Sequence, residues 1–227
     1  LHAWQAEEAI KAGAVAVYVA KPPSASLTTW KEIVEEAAIS GVNLAVGFNW
    51  RFHPVVQILR HQGPILWAQF VSMEDIAHWP HGGAAHLHDD GILKVSTSHT
   101  IDLVTHIYGH PNVVSVAPPK AAGPGTVLLQ LTIGGAPVGI FNTWASPVQV
   151  SIAYGQLVNG EMFKVDLMAE RWRKSVEGGM RRDCLTQFVM WAGGGTPGLL
   201  CTGEQGLVTM EVLETCSHLL GGAINAA

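Results

Sequence analysis

A chain of 227 residues that is 48% hydrophobic and 14% charged carries enough apolar mass for a substantial core. Its 13 Lys and Arg against 18 Asp and Glu give a formal charge of −5 with no basic run, which argues against nucleic acid as a partner. No uninterrupted apolar stretch nears the roughly 20 residues a membrane span needs, and Cys184, Cys201 and Cys216 have neither zinc spacing nor disulfide-scaffold density, so buried thiols in a reducing, cytoplasmic setting are expected.

Residues 1–12 set Leu1, Trp4, Ala9, Ile10 and Ala12 among Glu7, Glu8 and Lys11, the pattern of an amphipathic helix ending at Gly13. Ala14 to Val19 is almost wholly apolar, as expected of a strand covered on both faces, and Pro22 and Pro23 stop it. Thr28 or Thr29 can cap a second helix that runs through Ser40, with Ile33, Val34, Ala37 and Ala38 inward, and Val42 to Phe48 is a second buried strand. Strand, crossover helix and strand of this size predict parallel pairing.

After Asn49 the pattern changes. A short helix over Pro54 to His61 and a strand over Ile65 to Met73 lead to a Gly/His-rich loop from Glu74 to Asp90, and a helix follows from about Ser98 to Tyr108. Short apolar runs at Val113–Ala117, Thr126–Ile133, Val138–Trp144, Val148–Val158 and Met162–Leu167, parted by turns such as Asn159-Gly160, predict a mostly antiparallel sheet. Two helices, Arg182 to Ala192 and Glu204 to Leu220, finish the chain.

Several fragments recur in a telling order: His2, Ala9-Ile10-x-Ala12-Gly13, Lys21-Pro22, Gly41-Val42-x-Leu44, and Gly47-Phe48-Asn49-x-Arg51-Phe52-x-Pro54. Gly91-Ile92-Leu93, Ser98-His99-x-Ile101-Asp102-Leu103, Gly109-x-Pro111-x-Val113, Phe188, Gly195-x-Pro197 and Gly203-x-x-Gly206 continue it over nearly the whole chain. In this order the sequence resembles the glucose-fructose oxidoreductase, inositol dehydrogenase and rhizopine-catabolism family, Gfo/Idh/MocA. The resemblance implies an α/β plus α+β fold: residues 1–48 as the latter half of a Rossmann-type dinucleotide-binding domain, whose first half with its glycine-rich loop would precede Leu1. Residues 49–227 would form a substrate-binding and oligomerisation domain with an open, mostly antiparallel sheet and flanking helices. It implies NAD or NADP as cofactor, a sugar- or polyol-like substrate, and a homo-oligomer formed through the C-terminal sheet.

Lys21 matches the lysine of the family's Glu-Lys-Pro motif, where it can bind the substrate oxygen and stabilise a developing alkoxide; a solvated lysine ending a strand is the alternative. Pro22 matches a position where the family often has a cis peptide. His99 matches the active-site histidine and suits a proton acceptor, with Asp102 one turn along the helix, though helix-start histidines also serve as caps or surface groups. His2, Lys21, Pro22, Asn49 and Arg51 are the implied cofactor contacts; for Arg51 a domain-junction ion pair explains the residue equally well.

Three departures bear on catalysis, one of them the lack of a glycine-rich loop after a first strand and of an acidic residue to read a ribose hydroxyl. Val95 stands where the family has an aspartate four residues before the histidine, and Ala20 replaces the glutamate of Glu-Lys-Pro. A non-catalytic sugar- or nucleotide-binding relative is therefore the competing reading, and the isolated chain is expected to be inactive without the rest of the nucleotide domain. His78, His81, His86 and His88 with Asp89 and Asp90 invite a metal reading, but a loop without a rigid second shell favours solvated side chains, and no metal is expected. Trp79, Trp144 and Trp172 are candidates to stack on sugar rings or to fill the core.

Overall fold

The structure, a computed structural model, describes residues 2–75, 91–117, 125–169 and 178–224. Helix α1 (His2–Lys11) buries Ala3, Ala6 and Ile10, an i, i+3, i+7 stripe. This phase leaves Trp4 outside, 59% exposed, against the expectation that it faces inward. Strand β1 (Ala16–Val19) follows, then α2 (Leu27–Ile39) and β2 (Asn43–Val46). The cap of α2 is Ser26 rather than Thr28 or Thr29: its extended backbone lets its hydroxyl accept from the Thr29 amide at 3.2 Å. The inner face of α2 is Leu27, Trp30, Ile33, Val34 and Ala37, and Ala38 is exposed.

Strands β1 and β2 pair in parallel from Ala16↔Asn43 to Val19↔Val46, as their apolar runs predict. The third strand of this sheet comes from the far end of the chain. Strand β9 (Cys201–Thr202) adds antiparallel to β2, and the last helix, α6 (Gly203–Ile224), packs beside it. The contact is close enough to require glycine: a Cβ on Gly203 would stand 2.8 Å from Leu44 Cδ2, and one on Gly206 would stand 2.9 Å from Val46 Cγ2. Trp30, fully buried, ties α2 to the start of α6 by donating its indole N–H to the Gly203 carbonyl at 3.2 Å.

A 3₁₀ turn (Asn49–Phe52) and helix α3 (Pro54–Arg60), capped by the His53 imidazole, lead to strand β3 (Ile65–Asp75). Beyond residue 90, a π-helical turn (Leu93–Thr97) opens directly into α4 (Ser98–Tyr108). Strands β4 (Asn112–Ala117), β5 (Thr126–Ile133), β6 (Ala136–Thr143), β7 (Ala145–Leu157) and β8 (Met162–Asp166) complete a six-stranded sheet in the order β4-β5-β6-β3-β7-β8. Only β3 and β6 run parallel; the other pairs are antiparallel. One face of the sheet, with Phe70, Leu129, Ile140 and Ala153, buries Ile101 and Val104 of α4 in a shared core. On the opposite face Val71, Met73, Ile152, Tyr154 and Met162 border a shallow, open apolar trough. Helix α5 (Met180–Ala192) packs on the 3₁₀ turn and β2. Cys184, Cys201 and Cys216 are buried free thiols. Among the described residues no helix is long and apolar enough to cross a membrane.

Candidate active site

The carboxyl ends of β1 and β2 and the start of α4 converge on one cavity of about 330 Å³, a size suited to a small-molecule ligand. Lys21 reaches it from the end of β1, after which the Lys21–Pro22 peptide is cis. His2 Nδ1 donates to the Pro22 carbonyl at 3.1 Å, tying α1 to this turn. Asn49 and Trp50 line the cavity from the 3₁₀ turn, His99 and Thr100 from α4, Ser72 and Glu74 from β3, and Arg181 from α5.

Val95 sits in the middle of the π-helical turn, a local irregularity of a kind common at functional sites. Its side chain offers no acid, but its backbone does bind the lysine: Lys21 Nζ donates to the Val95 carbonyl at 2.6 Å. One ammonium hydrogen is thereby anchored and the other two remain for a ligand. Burial pushes the Lys21 pKa down to about 8, against the pull of the Glu74 charge and with a further lowering by Arg181. His99 packs edge-on against Phe48, with ring centroids 5.9 Å apart, and its Nδ1 is buried with no hydrogen-bond partner among the described residues. Burial, reinforced by the charges of Lys21 and Arg181, holds its pKa well below 6.5, so the imidazole is neutral at pH 7.

Arg51 and Asp102 are placed elsewhere. Asp102 is completely buried and Arg51 is 2% exposed; Arg51 Nε donates to Asp102 Oδ2 at 2.9 Å and its Nη2 to Oδ1 at 2.6 Å. The remaining guanidinium nitrogen donates to the Leu200 carbonyl and to Gln205. This is the junction ion pair that the sequence left open for Arg51: it joins the turn after β2, α4 and the start of α6. Neither residue lines the cavity, and Asp102 binds Arg51 instead of the imidazole. The geometry thus gives Arg51 and Asp102 a structural partner in each other at the junction, where the Cys201 thiol also bonds the carboxylate, and sets both apart from the cavity. His53, for which the sequence held no signal, caps α3 through Nδ1 and stacks on Trp50.

Among the cavity residues that escaped the sequence reading are Glu74, Ser96 and Arg181. Glu74 left a trace, since Ala68, Phe70, Ser72 and Glu74 share one strand face at period two and pass from apolar to polar where the strand leaves the core. Ser96 Oγ accepts the indole N–H of Trp144 at 2.8 Å, and this bond, rather than sugar stacking, engages Trp144, which does not line the cavity. Trp79, Trp172 and the cluster of His78, His81, His86, His88, Asp89 and Asp90 lie outside the described residues. Among those described, no group of three metal-ligating side chains assembles.

No protein-family model matches the sequence, and no curated protein does. Solved structures match over nearly its whole length. A dehydrogenase from Chromobacterium violaceum superposes with a TM-score of 0.76 at 20% identity, covering 100% of this chain and 76% of its own. An oxidoreductase from Agrobacterium radiobacter, solved in complex with NAD+, L-tartaric acid and magnesium, gives 0.73 at 17% identity over 98% of this chain and 75% of its own. A myo-inositol dehydrogenase from Corynebacterium glutamicum gives 0.76 at 16% identity over 96% of this chain and 74% of its own. The chain therefore has the fold of the dehydrogenases and oxidoreductases of the Gfo/Idh/MocA type, as the order of its sequence fragments implies.

Proposed function

We propose that the cavity is the substrate site of an NAD(P)-dependent oxidoreductase acting on a hydroxyl or keto carbon of a sugar, polyol or related small molecule. The observation that carries this reading is the convergence of Lys21 and a neutral, unpartnered His99 on one cavity at the carboxyl ends of parallel strands, where open α/β sheets bind ligands. The described residues suit the reactive end of such a cofactor. Asn49 and the Lys21-Pro22 turn stand where β1 and β2 open, and would hold it. When bound, the nicotinamide supplies the hydride acceptor or donor. Lys21, anchored on the Val95 carbonyl, directs its free N–H groups to the substrate oxygen and stabilises negative charge there. His99 accepts the hydroxyl proton as oxidation proceeds and returns it in reduction.

The test, made on a protein that carries the complete dinucleotide-binding domain and is shown to bind the cofactor, is an assay of NAD+ and NADP+ reduction against a panel of polyols, sugars and sugar acids. The expected outcome is turnover that His99→Ala lowers by roughly 10²–10⁴-fold in kcat/KM, the loss typical of a missing general base. A second reading, a non-catalytic ligand-binding relative, is favoured by Val95, which puts no acid four residues before the imidazole. Sugar binding with no cofactor reduction by any panel member would establish it. The same proposal includes a homo-oligomer through the outer face of the six-stranded sheet, where Val150, Ile152 and Met162 lie in the open trough. Sedimentation velocity should show an oligomer that Ile152→Asp dissociates; a wild-type monomer at tens of micromolar, roughly the range of weak interfaces, removes that part.

A further inference from the structure

Glu74 is the one carboxylate among the described residues that line the cavity, and it lies beside two cationic side chains, Lys21 and Arg181. It stands on the last turns of β3 with its oxygens engaged by hydroxyls: Ser72 Oγ donates to Oε1 at 3.4 Å, and the Ser96 hydroxyl bonds it as well. Ser96 is in turn the acceptor of the Trp144 indole N–H, so a directed chain of donors runs from Trp144 through Ser96 to the carboxylate. Ser96 also follows Val95, whose carbonyl holds Lys21. The acid is therefore built into the same short stretch of backbone that positions the lysine. No salt bridge joins the two side chains, so Glu74 acts on Lys21 as a charge in the same cavity and not as a bonded partner.

We propose that Glu74 is a positioning residue of this site: its carboxylate, fixed by Ser72 and Ser96, keeps Lys21 in the ammonium form that can bind the substrate oxygen. The inference rests on the reading of the cavity as a substrate site and adds to it the residue that sets the charge of that site. It answers the replacement of the family aspartate by Val95 with an acid from a different element, β3. The charge balance explains why such a residue is needed. Burial and Arg181 both favour a neutral Lys21, and Glu74 is the group that opposes them. Burial in turn raises the pKa of Glu74, while the Ser96 hydroxyl, the Lys21 charge and the Ser72 hydroxyl lower it, so each member of the pair favours the charged form of the other. Facing the pair among the described residues are Arg181 from α5 and His99 from α4, and Arg51 and Asp102 are sealed behind α4 in their own bond.

The experiment is the titration of the lysine side chains by NMR in the full chain, with Lys21→Arg identifying the Lys21 signal, repeated in Glu74→Gln and Glu74→Asp. Glu74→Gln keeps the shape and a hydroxyl acceptor but removes the charge. It is expected to lower the Lys21 midpoint by about one pH unit, and Glu74→Asp to restore most of it, while the other lysines keep their positions and so report an intact fold. In the assay, Glu74→Gln should move the alkaline limb of the kcat/KM profile down by the same amount. An unchanged Lys21 midpoint in Glu74→Gln overturns the proposal whatever the assay shows. A shifted midpoint in a protein that carries the complete dinucleotide-binding domain, binds the cofactor and still turns over no substrate upholds the pairing and removes the oxidoreductase reading instead.

Discussion

His99 and Asp102 stand one turn apart on α4, yet their surroundings give them opposite uses. Asp102 faces the junction, where Arg51 binds it at 2.6 Å and the Cys201 thiol bonds it as well; His99 lines the cavity, and its buried Nδ1 has no partner among the described residues. The same contrast separates the two cations. Arg51 is sealed with its acid, whereas Lys21 holds a backbone carbonyl and senses its acid, Glu74, as a charge in the same cavity without a salt bridge. A direct, desolvated pair is a structural bond, because its energy depends on both charges staying in contact. A separated pair in a cavity is poised, because a ligand or a proton can alter either member.

The largest effect expected from breaking this contrast is on the sealed side. Arg51→Ala leaves the Asp102 carboxylate buried without a partner and should cost about 3–5 kcal/mol in denaturant unfolding. Lys21→Met removes a charge that burial already disfavours and should leave the unfolding midpoint unchanged or raised. Equal losses in the two variants would dissolve the distinction between structural and poised pairs. Replacing both sealed charges, with Arg51→Met and Asp102→Leu, should recover most of what Arg51→Ala loses, since no uncompensated charge then remains.

A smaller effect sharpens the same comparison by pH. His106, one turn beyond Asp102, has its pKa lowered to about 3, first by burial and then by Arg51 and Arg60. The folded state thus refuses a proton that the unfolded chain accepts below about 6.5. The stability this provides is present above that value and is lost as pH falls from about 6.5 towards 3. Chemical denaturation at pH 7 and pH 5 should show a drop that is reduced in His106→Gln; an identical drop would assign the acid sensitivity to other groups, such as His99 and His53, whose pKa values are also depressed by burial.

What could be read from the chain without its fold followed local rules. Apolar runs located β1, β2 and β5, the Thr126–Ile133 run matched its strand residue for residue, and the fragment order singled out Lys21 and His99, which line one cavity. These features depend on near neighbours in sequence and on the two-residue and 3.6-residue periods of strand and helix. Helix phase was less secure, as Trp4 and Ala38 show: a single apolar residue off the main stripe does not reveal which way the stripe faces.

The partners of charged groups were settled only by tertiary packing. Arg51 meets Asp102 and Leu200 across 51 and 149 residues, Lys21 meets Val95 across 74, and β9 returns from residue 201 to complete a sheet begun at residue 16. The residue types alone allow Asp102 to serve His99 or Arg51, and allow Glu74 to be a solvated loop acid or a cavity carboxylate. Which of these holds is decided by where burial removes water, because only there does a charge have to find a fixed partner. The sequence by itself determined the longer helices and strands and nominated Lys21 and His99; the fold decided where the two-residue strand β9 pairs and which acid each cation faces.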